Sequence, residues 1–147
     1  MTTIHAMLKR VKSVDLIELA SDIVENKPQV IIDMNKDNLV HGIKKDGTQI
    51  GKYKDQGYYS RKKFAMNSKA GFGNVDLINK RAFVGGMFLK MFSSGVFDIR
   101  SRDSKSDELM TKYGDDIFGL TSDNKKKYRT DVLQPELVRE VKKILIV

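Results

Sequence analysis

The side chains best suited to chemistry are the neighbouring aspartates of Tyr113-Gly114-Asp115-Asp116. Adjacent carboxylates of this kind chelate divalent cations for in-line phosphoryl transfer. The surrounding spacing argues against that use. A second aspartate would have to come from a distant strand, and Asp98 and Asp103 stand only a short distance upstream. A chain of 147 residues is also too short for a polymerase palm, fingers and thumb. Gly114 reads instead as a helix end, with both aspartates leading a turn into Ile117-Phe118. His5 and His41 are the two histidines. His41 adjoins a helix end, where the dipole favours a cation, and neither has a serine or acid placed to build a triad. With no cysteine, disulfides and thiolate metal sites are ruled out. No phosphate-cradling glycine loop occurs. The sequence therefore predicts no enzyme, and no catalytic, cofactor-binding or metal-ligating residue is assigned.

Binding is better supported. Lys and Arg number 27 against 19 Asp and Glu, for a net charge of +8 and a pI near 9.6. Residues 36–81 hold 11 basic and 4 acidic side chains, so +7 of that excess falls in the middle third. Tyr53, Tyr58, Tyr59, Phe64 and Phe72 lie among those lysines. Basic residues interleaved with aromatics bind nucleic acid by neutralising phosphates and stacking on bases. The same composition suits an arm that docks on an acidic neighbouring subunit. The docking arm is the favoured reading, with Lys52, Tyr53, Lys54, Arg61, Lys62 and Lys63 as its contacts. No apolar run approaches the ~20 residues of a membrane span, and Met1-Thr2-Thr3-Ile4-His5 does not read as a signal peptide.

Positioning these groups falls to an α+β fold: one domain over 1–147, with helices on a small antiparallel sheet and an extended basic arm. Residues 1–12 are expected to be flexible. Ser13 is the expected N-cap of a helix over 14–25, and Pro28 opens a second that runs to Val40 and closes at Gly42. Asp46-Gly47 between Ile43 and Ile50 predicts a short hairpin. Residues 54–73 show no consistent period and are expected to form the arm. From Ala82 to Phe92 the spacing predicts a helix whose apolar face, with Phe83, Met87, Phe88 and Met91, serves as core or as a subunit seam. Gly85-Gly86 would cost such a helix about 1 kcal/mol each, so it must bend or admit a close neighbour there. Val96 to Arg102 alternates as a half-buried strand. A short helix from Ser106 ends at Gly114, and Thr121 caps a last helix that Pro135 should break or kink.

Three stretches resemble, in order, small virion proteins of tailed phages that infect Bacteroidetes, including crAss-like phages. They are Gly42 to Tyr53 followed by Lys62-Lys63; Val75-Asp76-Leu77-Ile78-Asn79 leading into Ala82-Phe83; and Leu109 with Lys112 to Thr121 before an amphipathic helix. More distantly, the layout is similar to the tail-completion and virion-morphogenesis family. The resemblance spans about residues 40–145. It departs at Lys80-Arg81, where such proteins have Thr-Gly. It implies a non-enzymatic, cofactor-free subunit of a homo-oligomeric ring at the phage neck, assembled in the host cytoplasm. Portal, connector or tail proteins would be its neighbours, with non-specific contact to packaged DNA and none to membrane. Gly114, Ile117, Phe118 and Gly119 would fix the turn between the last helices.

Overall fold

Asp15 caps the first long helix, accepting hydrogen bonds from the backbone N–H groups of Ile17 (2.9 Å) and Glu18 (3.1 Å). The helix, α2, runs Leu16–Asn26. Ser13, the expected cap, instead ends an earlier helix, α1 (Ile4–Lys12), which Thr3 caps. Most of the segment expected to be flexible is thus helical. The computed structural model describes residues 3–78 and 82–146, so Asn79 and the departure at Lys80-Arg81 lie outside the described residues.

Pro28 opens α3 (Pro28–Val40) at the position where its missing N–H has no helical partner to lose. This helix is the centre of the molecule: Ile31, Ile32 and Leu39 are buried among Val24, Ile50, Val75, Ile99 and Ile117. After it the chain reverses between Ile43 and Gln49, held by a single antiparallel bridge where a short hairpin was expected. A second bridge joins Lys52 to Asn74. Between them lies α4 (Tyr58–Met66). Residues 54–73 are therefore not an extended arm.

The predicted helix over Ala82–Phe92 is also corrected. It is a single turn, α5 (Ala82–Gly85), followed by strand β1 (Met87–Met91). Strand β2 (Phe97–Ser101) pairs with it antiparallel, Leu89 opposite Ile99, after a tight turn at Ser93–Gly95. Gly86 marks the switch. A Cβ there would come within 3.0 Å of the Ala82 carbonyl and 3.1 Å of Ser101 Oγ, which itself donates to the Phe83 carbonyl. Close approach, not a bend, is what Gly86 permits, whereas a Cβ at Gly85 would meet nothing within 4 Å. Met87, Leu89 and Met91 with Phe97 and Ile99 face the core, while Phe88 lies outside under Arg102, 4.9 Å from its ring centroid.

Helix α6 (Ser106–Tyr113) ends at Gly114 (φ +94°), and a short turn, Asp115–Ile117, leads on. Thr121 caps α7 (Ser122–Tyr128) through the Asn124 N–H. Pro135 does not break the helix that follows. A π turn over Arg129–Leu133, with the Gln134 N–H bonded to the Arg129 carbonyl, passes directly into α8 (Gln134–Ile146). The wider turn shifts the carbonyl register ahead of the proline, relieving the clash that an α-helix would impose. Glu136 on α8 accepts a hydrogen bond from Lys27 and pairs with Arg139. These contacts, Lys27 foremost, hold its carboxyl below the usual glutamate range. Together the elements form a small α+β fold. Among the described residues, no helix is long and apolar enough to cross a membrane.

Candidate functional site

The basic middle third folds back on itself. Residues 51–53 run beside 73–75 through Tyr53 N–H to the Gly73 carbonyl and Val75 N–H to the Gly51 carbonyl, both 2.9 Å. Asp55 then caps α4, its two carboxylate oxygens accepting from the N–H groups of Gly57 and Tyr59. Those bonds keep its pKa below the ordinary aspartate value. The Tyr59 ring meets Tyr53 edge-on at 5.0 Å, and Phe64 meets Phe72 at 6.0 Å.

Of the six residues predicted for the arm, four are solvent-facing: Lys52, Lys54, Arg61 and Lys62. The other two turn inward. Lys63 is 5 % exposed and its Nζ lies 2.5 Å from Oδ1 of Asp76, itself 4 % exposed. Asn67 donates to the other Asp76 oxygen at 2.9 Å, and the Tyr53 hydroxyl reaches the same residue. Burial, helped by the Asp76 charge, raises the Tyr53 pKa far above the normal phenol value. Lys63 thus pins α4 to the core and is not a surface contact. Tyr58 and Phe64, two of the aromatics interleaved with the lysines, are exposed on α4 beside its cations, together with Met66, which the composition did not point to.

The proposed apolar seam is similarly divided. Phe83 and Met87 belong to the core, Met91 packs against it, and Phe88 alone lies on the outer strand face. Of the turn residues, Ile117 and Phe118 are buried, Phe118 with its ring 5.4 Å from Phe83. Asn35 on α3 fixes this turn, donating to the Ile117 carbonyl and accepting from the Gly119 N–H, both at 3.0 Å. Asp116 is held 3.2 Å from Lys44 and Asp115 is exposed. Among the described residues, no three His, Asp or Glu side chains converge as metal ligands.

A larger apolar surface went unread. No residue of α1 or α8 is buried, although both helices are amphipathic and pack together. Ile4, Met7, Leu8 and Val11 on α1 are exposed, as are Val138, Ile144 and Ile146 on α8. The i, i+3, i+4, i+7 spacing of the α1 set was a readable helix signal, and Thr3 was its cap. No family model, curated protein or solved structure matches this chain. The arrangement is one of surfaces: an apolar helical layer at one place, and a cationic aromatic helix at another. The first suits subunit contact, and the second suits anionic polymers or acidic protein.

Proposed function

We propose that the chain is a non-enzymatic virion structural protein, a ring-forming subunit of the head–tail joint of a tailed phage, assembled in the host cytoplasm. The observation that carries it is the α1–α8 apolar layer, where four apolar side chains in about two turns of α1 stay exposed among the described residues. The ordered resemblance of residues 40–145 to phage virion proteins supplies the context. In a closed ring each copy offers one surface and receives another, so an uncovered helical layer on one flank suits such a brick. Its neighbours would be further copies and the portal, connector or tail proteins around them.

Self-association tests this reading. The purified chain should form a discrete oligomer in sedimentation velocity and rings in negative stain. Replacing Leu8 and Val11 by Glu buries charge in any such contact and should weaken association by roughly 100-fold or more, about 2.7 kcal/mol. A chain that stays monomeric at high concentration, or an oligomer indifferent to these changes, would overturn it.

The exposed Tyr58, Tyr59 and Phe64 beside Arg61 and Lys62 favour a second reading, a nucleic-acid-binding module. With Lys63 buried, four cations (Lys52, Lys54, Arg61 and Lys62) are left to meet phosphates. Duplex DNA affinity should then fall with salt at a log–log slope near −3.6, about 0.9 per phosphate. A slope near −1 at millimolar affinity would remove this reading in favour of the ring.

A further inference from the structure

A groove of about 930 Å³ opens between α2, β2, the turn after α6 and the α7–π turn. Its lining is largely apolar, with Val24, Phe97 and Leu133 the more buried and Leu16 and Ile17 exposed. Its rim is not. Lys45, Lys125 and Arg129 stand around it, exposed, and among the described residues none has a carboxylate within ion-pairing distance. Of the two acidic residues lining it, Asp98 is paired with Arg100 at 2.9 Å, which leaves Asp115. Three uncompensated cations therefore face one carboxylate over an apolar trough. The placement of Lys45 is built in: its backbone N–H bonds the Asp116 carbonyl, and its stem lies over Gly119 (φ +135°), where a Cβ would come 2.8 Å from Lys45 Cδ.

We infer that this groove binds an acidic amphipathic helical segment of a partner protein, apolar side chains on the floor and carboxylates against Lys45, Lys125 and Arg129. Size agrees: two turns of helix, roughly 10 Å across and 11 Å long, displace on the order of 850 Å³. Charge selects the partner's sign. A second copy offering α1 would bring Lys9, Arg10 and Lys12 onto the same cations, each chain already carrying +8. The inference stands on the groove alone and does not need the ring.

The test is a titration of the ¹⁵N-labelled full chain with a roughly four-turn peptide, Leu at i, i+3, i+4 and i+7 and Glu elsewhere. A Lys-for-Glu version and dodecanoate run as comparisons. Amide shifts should concentrate at Gly95, Gly119 and Leu133, and Lys125→Glu with Arg129→Glu should weaken binding roughly tenfold or more. Both substitutions are on exposed side chains, and an unchanged amide spectrum confirms the fold. Arg61→Glu with Lys62→Glu, and Leu8→Glu with Val11→Glu, should leave the affinity unaltered. Equal binding of the two peptides, loss with the α4 pair instead of the groove pair, or dodecanoate giving the same shifts at higher affinity would each overturn the inference.

Discussion

Lys63→Met is expected to cost about 3–5 kcal/mol, since removing one partner of a buried pair strands the other charge in a poor solvent. Against a total of about 5–15 kcal/mol for a domain, this is the largest single effect anticipated. Asp76 would keep the Asn67 amide and the Tyr53 hydroxyl, which solvate it only in part. Urea unfolding measures the loss, and a melting midpoint lower by roughly 6–20 °C should accompany it. Replacing both residues, Lys63→Met with Asp76→Leu, should recover part of the stability, because no charge is then left buried. Recovery stays incomplete because Asn67 and Tyr53 each lose the carboxylate and keep only a backbone carbonyl, that of Val40 and of residue 76 respectively. A single-variant loss below about 1 kcal/mol would show that water reaches Asp76 and that the pair is peripheral. Early proteolysis within residues 54–73 would show that α4 has come away first.

Asn35→Leu should rank next. The side chain is 1 % exposed and serves two backbone groups 82 and 84 residues away, the Ile117 carbonyl and the Gly119 N–H. Leucine has the same branched outline, with bulkier ends, and leaves both unsatisfied. At about 1–3 kcal/mol for the buried Ile117 carbonyl and less for the half-buried Gly119 N–H, the expected cost is about 2–4 kcal/mol. Asn35→Asp gives a sharper reading, since it keeps an acceptor for Gly119 and sets carboxylate against the Ile117 carbonyl. It should be nearer to wild type in acid, when the carboxyl can donate, and worse once ionised. Hydrogen exchange should quicken at residues 117–119 before the rest of the core. Stability within 1 kcal/mol of wild type for Asn35→Leu would mean that the turn is held by Ile117 and Phe118 packing alone.

Where one face of an element is apolar and its ends carry caps, the chain could be read directly. Helix α2 and strand β2 follow from the spacing of their apolar residues, and α3 from Pro28 at its start and Gly42 beyond its end. The cap of α2 was misplaced because Ser13 and Asp15 both qualify, and only the geometry of α1 decides between them. Strand β1 was hidden because Phe83 to Phe92 is a nearly continuous apolar run, which satisfies a helical period and a strand alike. Gly85-Gly86 was the true boundary signal. Helix α4 was hidden for the opposite reason: its buried positions are Ser60 and Lys63, so hydropathy shows no stripe. That Lys63 is an internal anchor depends on Asp76, which only the fold brings to it. The groove was likewise beyond the sequence, since Lys45, Lys125 and Leu133 come from separate elements that share no local pattern.

The π turn at Arg129–Leu133 also has a rotational meaning. One additional residue turns all that comes after it by about 100° around the helix axis. Ahead of that offset the helix rests on α3, and beyond it on α1 and α2. A single rod is thus phased to serve two differently oriented floors, and Pro135 locks the phase, since an uninterrupted α ladder could not accept its ring. The N-terminal helix owes its seat at the molecule's edge to that one inserted residue.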